Sequence, residues 1–204
     1  MVQGCCLGGV FLSLRELRWT TVLLGILLSF GTLILGNWLY QQYMVKAPLG
    51  EALGQRPEIQ DWSMQKDGRQ TRLIIELGPV GNLQETCKFI QKTTRQYLGD
   101  EGIEIVLADQ RTEELKAVRY NLQFPLYEAI AQGNFTNLAR LVNLEAEQAK
   151  LNQHQIFIDE HYLYIQLFQD SAYLYEVVPR HPDQPTSMFI QGIDDLAKEP
   201  DTSR

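Results

Sequence analysis

The hydrophobic pattern of this chain begins with an unbroken apolar run. From Trp19 to Tyr40 (WTTVLLGILLSFGTLILGNWLY) no charged side chain occurs and no helical or strand period is visible. At a rise of about 1.5 Å per residue the run reaches about 33 Å, enough to cross the hydrocarbon core of a bilayer. Trp19 stands at one end and Trp38, Tyr40 and Tyr43 at the other, where aromatic rings settle at a membrane–water interface. The run is longer than the apolar region of a cleaved signal peptide, so an uncleaved signal anchor is the predicted reading.

After residue 57 the pattern becomes that of a folded domain. Ile59, Trp62 and Met64 alternate as in an edge strand, and Asp67-Gly68 marks a hairpin turn. Arg72–Leu77 reads as a strand buried on both faces, ended by Gly78-Pro79. Leu83, Cys87, Ile90, Thr94, Tyr97 and Leu98 then recur at spacings of three and four, which predicts a helix starting near Asn82. Gly99 and Gly102 stop it, and Ile103–Leu107 is a second buried strand. Strand, helix and strand with short joints imply parallel pairing through a right-handed crossover.

A second helical face runs through Leu115, Val118, Leu122, Leu126, Ala129 and Ile130, with Pro125 predicting a kink or a division into two helices. A third, capped by Thr136 or Asn137, presents Leu138, Leu141, Val142, Glu145 and Ala149. Three β runs follow, at 155–158, 162–168 and 172–178, separated by short polar turns, and these predict an antiparallel meander. Beyond Pro179, Pro182 and Pro185, the residues Phe189, Ile190, Ile193, Leu196 and Ala197 are spaced for a short amphipathic helix. The predicted class is α+β, with one mixed sheet and helices on one face. The expected organisation is a cytoplasmic stub at 1–18, the anchor at 19–40, a linker at 41–57, an extracytoplasmic domain at 58–180 and a Pro-containing tail at 181–204.

Charge sets the orientation and narrows the partners. Arg15 and Arg18 before the span, against Lys46 alone just beyond it, place the N-terminus in the cytoplasm and the domain outside. With Arg15, Arg18 and Glu16 set aside, 16 basic and 24 acidic residues remain, a net charge of −8. So acidic a domain repels phosphate backbones, and nucleic acid is not an expected partner. Cys5 and Cys6 flank the span and Cys87 is alone in the domain, so the domain has no disulfide framework. Gly25/Ser29 and Thr32/Gly36 are small-xxx-small pairs that permit a homo-oligomer through the span. Asn134-Phe135-Thr136 is a glycosylation sequon in a eukaryotic secretory pathway.

Two constellations could carry chemistry. Strand alternation puts Tyr162, Tyr164 and Phe168 on one face beside Tyr173 and Tyr175. That aromatic face could bind a protein, peptide or glycan if it is open, or form cross-strand pairs if it is covered. His154, Asp159, Glu160 and His161 lie near strand ends, where His and carboxylate ligands of zinc can converge, although neither HExxH nor paired CxxC is present. The Gly78–Asn82 joint precedes a helix N-terminus but lacks the spacing of a phosphate-binding loop. No cofactor is expected. The leading functional expectation is a single-pass, non-enzymatic interaction protein that binds another envelope or membrane protein. A surface hydrolase, metal-dependent through the His154–His161 group, and a ligand-sensing domain acting through a partner are the alternatives.

Overall fold

The computed structural model describes residues 19–40, 46–67, 70–99, 102–181 and 188–196. The chain divides into two compact units, Met1–Lys46 and Ala47–Arg204. The first contains α1 (Trp19–Tyr40), an uninterrupted helix whose window Val22–Leu39 has no buried side chain. Thr32 returns its hydroxyl to the carbonyls of Leu28 and Ser29, so this polar group is satisfied within the helix, as an apolar medium requires. α1 is long and apolar enough to cross a membrane, as an anchor or as a signal sequence. The flanking Cys5, Cys6, Arg15, Arg18 and Tyr43 lie outside the described residues.

The second unit is α+β. It begins with α2 (Ala47–Leu53), β1 (Ile59–Asp67), β2 (Gln70–Leu77), α3 (Leu83–Leu98) and β3 (Ile103–Asp109). Then come α4 (Glu113–Gln132), α5 (Phe135–Gln148), β4 (Gln153–Ile158), β5 (Tyr162–Gln169), β6 (Ala172–Pro179), β7 (Met188–Gly192) and α6 (Ile193–Leu196). One sheet has the order β1-β2-β3-β7, with β1 antiparallel to β2 and the remaining pairs parallel. The meander β4-β5-β6 forms a separate antiparallel sheet.

Local chemistry explains the elements. Asp67 pairs with Gln70 across the hairpin that Asp67-Gly68 signals, although residues 68–69 lie outside the described set. Asn82 caps α3 by accepting the Glu85 N–H, and Thr112 caps α4 by accepting the Leu115 N–H. Gly133 ends α4 in the left-handed region (φ 72°), which glycine adopts without a Cβ penalty.

Six expectations need correction. The meander forms its own sheet, because the outer edge of β6 meets the end of β3 through two isolated bonds and not through a strand ladder. Tyr173 N–H donates to the Gln110 carbonyl and Tyr175 N–H to the Asp109 carboxylate. The tail is a strand before it is a helix: Met188–Gly192 extends β3 in parallel, and only Ile193–Leu196 is helical. Spacings of three and four over so few residues are equally compatible with alternation. β2 buries one face only, with Leu73, Ile75 and Leu77 inward and the residues between them half-buried. Residues 47–53, expected within a linker, form α2 and bury Leu49 and Leu53 completely. α2 lies so close to β1 that a Cβ on Gly50 would come within 3.0 Å of the Trp62 ring. α4 is not divided into two helices at Pro125: Leu115, Val118, Leu122, Leu126 and Ala129 all bury along one element, and the Asn121 carbonyl that loses its amide belongs to an exposed residue. Asn134, not Thr136 or Asn137, caps α5, whose buried face is Leu138, Val142 and Ala146.

Two cores follow from this arrangement. The first joins the inner face of the four-stranded sheet, α2 and α3 to the tyrosine face of the meander. The second packs α4 and α5 against the opposite face, Leu163, Ile165, Leu167, Leu174 and Val178. The meander is therefore apolar on both sides, which explains why its strands read as near-continuous hydrophobic runs.

Candidate functional site

The predicted aromatic face lies inside the domain. Tyr162, Tyr164, Tyr173 and Tyr175 are all buried in the first core, with Phe168 packed against them. Tyr173 and Tyr175 rings lie 5.3 Å apart, and Phe168 meets Tyr175 edge-on at 6.2 Å. The docking surface expected from these rings is taken up by the protein's own first sheet and α3. Their hydroxyls have an internal task. Tyr175 accepts the Val80 N–H (2.9 Å) and donates to the Gly78 carbonyl (2.7 Å), and Tyr173 donates to the Leu77 carbonyl (2.7 Å). Buried Gln166 accepts the Leu83 N–H (2.9 Å) and turns its amide toward Val80, Gly81 and Gln155. Between them these side chains satisfy the backbone of the β2–α3 connection, which would otherwise leave polar groups unpaired in an apolar interior. Burial pushes the Tyr175 phenol well above its ordinary range, so it works only as a neutral donor and acceptor.

The histidine and carboxylate group does not assemble. His154 sits at the start of β4 against Asn143 (2.7 Å), while Asp159 lies beyond the other end of that strand, about 16 Å along the extended chain. Among the described residues no cluster of three or more His, Cys, Asp or Glu is placed to hold a metal ion. Glu160 and His161 are exposed turn residues. Asp159 organises that turn by accepting the N–H groups of His161 (2.9 Å) and Tyr162 (2.8 Å), the Tyr164 hydroxyl (3.1 Å) and Lys88 Nζ (3.0 Å). Arg180 donates to the Asp159 backbone carbonyl and stacks on Phe135. Cys87 is fully buried beside this network. Burial first, and the Asp159 charge second, push its thiol far above the range in which a nucleophilic thiolate forms.

The Asp159 carboxyl sits well below the usual carboxylate range. Partial burial works to raise it, and the Tyr162 and His161 amides with Lys88 and Gln84 outweigh that effect. The stability it contributes is therefore complete above the unfolded value of about 3.9 and is lost as pH falls through the lower folded value. Asp159→Asn should cost about 1.5–3 kcal/mol near neutral pH. The variant should also lose less further stability than the wild-type chain between about pH 5 and about pH 2. Urea unfolding of residues 47–204 at several pH values tests this, and parallel pH profiles for the two proteins would refute it.

The surface feature that pattern-reading missed is on α4. Tyr120, Phe124 and Tyr127 are 68%, 78% and 58% exposed. At about 100° per residue the three rings fall within an arc of about 60° on the side away from the buried leucines. Exposed Ala117 and Ala131 continue the stripe at its two ends. From Tyr120 to Tyr127 (YNLQFPLY) there is no charged side chain, although the domain is strongly acidic. Beside the stripe a small cleft opens between α4 and the meander, lined by Leu122, Gln123, Leu126 and Tyr127 on one side and Ile165, Leu167 and Leu174 on the other. The Arg119–Glu176 ion pair, with one N–O contact of 2.9 Å, also lines it. Such a surface is rich in aromatic rings, poor in charge and fixed on a rigid helix, which is the composition of the centre of a protein interface. The signal lay in residues 120–127, where apolar side chains occur on both sides of a helix that needs only one. No protein-family model, curated protein or solved structure matches the chain.

Proposed function

We propose that the chain is a single-pass membrane-anchored protein whose second unit is an interaction module, and that α4 is the face by which it binds another protein at the membrane. The observation that carries this reading is the exposure of Tyr120, Phe124 and Tyr127 on one uncharged stripe. A monomeric soluble domain rarely leaves so many neighbouring rings in water, and contiguous apolar patches mark interaction sites. Arg15 and Arg18 support an anchor with its N-terminus in the cytoplasm and the module outside. The Asp159 turn offers a hydrolase little, since its carboxylate is occupied by backbone and side-chain donors.

Aromatic anchors at an interface centre typically contribute about 2 kcal/mol or more when truncated, about thirtyfold in affinity. Phe124→Ser should therefore lower recovery of crosslinked partners from native membranes by about that factor while leaving the unfolding midpoint unchanged. An identical set of enriched proteins from wild-type and variant chains would remove α4 from the reading.

A further inference from the structure

Building on the docking reading of α4, we propose that the occupant of the stripe is a second copy of this chain. The two α4 helices pack antiparallel about a two-fold axis between Gln123 and Phe124. The stripe is nearly the same read in either direction: Ala117, Tyr120, Phe124, Tyr127, Ala131. In an antiparallel pair centred there, Tyr120 of each copy is level with Tyr127 of the other, and the two Phe124 rings meet beside the axis. The two Gln123 amides come together on the axis's other side. The terminal alanines allow the helices to approach closely. A self-complementary patch of this kind is what a two-fold interface requires, because each residue must suit a symmetry copy of the same surface.

Charge favours the same occupant. A two-fold contact brings each charge near its own copy, so an acidic domain repels itself unless the contact is uncharged. Residues 120–127 form such a segment. Area fits a membrane-bound pair better than a soluble one. Three rings at the observed exposures offer roughly 400 Å² per copy, about half of the ~800 Å² per partner in a stable soluble complex. Copies anchored in one membrane need less, because confinement raises their effective concentration.

The test uses the chain with its apolar helix in native membranes, with Cys5→Ser and Cys6→Ser to remove the thiols other than buried Cys87. Single variants Tyr120→Cys, Phe124→Cys and Tyr127→Cys are oxidised mildly with diamide, alone and in mixtures of differently tagged copies. Mixed Tyr120→Cys and Tyr127→Cys copies should give disulfide-linked dimers at least fivefold more efficiently than Tyr120→Cys alone. In the proposed register two Tyr120→Cys sites lie about 10 Å apart along the helix axis, beyond the usual span of a disulfide. Phe124→Cys should crosslink with itself. Light scattering of the detergent-solubilised chain should show a dimer that Phe124→Glu reduces at least tenfold, with its unfolding midpoint retained. Equal crosslinking at every position, no crosslinking, or a dimer that survives Phe124→Glu would overturn self-pairing. If self-pairing fails while Phe124→Ser still releases a different protein from native membranes, the docking reading stands with another occupant. If neither is lost, both fall.

Discussion

Replacing Asp109 with Ala should destabilise residues 47–204 by about 3–5 kcal/mol, the largest single effect expected in this protein. Asp109 is completely buried at the end of β3 and holds Arg111 through two contacts, Oδ1–Nε at 2.6 Å and Oδ2–Nη2 at 2.8 Å. Its Oδ2 also accepts the Tyr175 N–H at 2.8 Å, which joins the two sheets. Burial pushes the carboxyl above its ordinary range, and Arg111 and the Tyr175 N–H pull it back. Truncation leaves a guanidinium with little access to water and an unpaired amide on β6, and each carries its own desolvation cost. Removing the pair together, Asp109→Leu with Arg111→Met, should cost much less than Asp109→Ala, since apolar replacements of buried pairs are often near neutral. Urea midpoints at unchanged slope measure both. A loss under about 1 kcal/mol for Asp109→Ala would mean that the pair is hydrated and the joint lies elsewhere.

Tyr175→Phe should cost about 2–4 kcal/mol although it removes one oxygen atom. That oxygen serves the Val80 N–H and the Gly78 carbonyl, both in the buried β2–α3 connection, and its loss orphans both. Tyr162→Phe is the matched control. Tyr162 is buried in the same core, but its hydroxyl has no partner among the described residues, and its removal should cost under about 0.5 kcal/mol. Similar losses for the two variants would show that ring packing, and not the clamp on residues 77–83, sets the energy.

Much of this fold is legible in the chain, and the exceptions have physical causes. α3 is announced by Leu83, Cys87, Ile90 and Thr94, all buried, and by an Asn that can cap it. The meander is visible because its turns are short and polar. Which surface a strand faces is not local information. Tyr162–Phe168 alternates in the same way whether its tyrosines meet water or α3, and the groups that hold this strand through Gln166, Leu83 N–H and the Val80 carbonyl, lie 83 and 86 residues earlier. β7 was hidden for a related reason, since five residues carry too few periods to separate strand from helix. The exposed α4 stripe is masked in the sequence because Leu122 and Leu126 interleave with Tyr120, Phe124 and Tyr127, so two apolar faces read as one. The apolar helix α1 needed no tertiary information, because composition and length alone mark it.

The pairing of β3 with β7 also has a consequence for how the protein is made. Ile105 meets Met188, about 80 residues later, so the first sheet cannot finish until residues 188–192 have been synthesised. Until then the inner faces of β2 and β3, with Leu73, Ile75 and Leu107, lack both β7 and the tyrosines that complete their core. While the intervening residues, about 80 of them, are made, the growing chain therefore carries a half-built apolar face, the condition in which incomplete folds are most prone to aggregate.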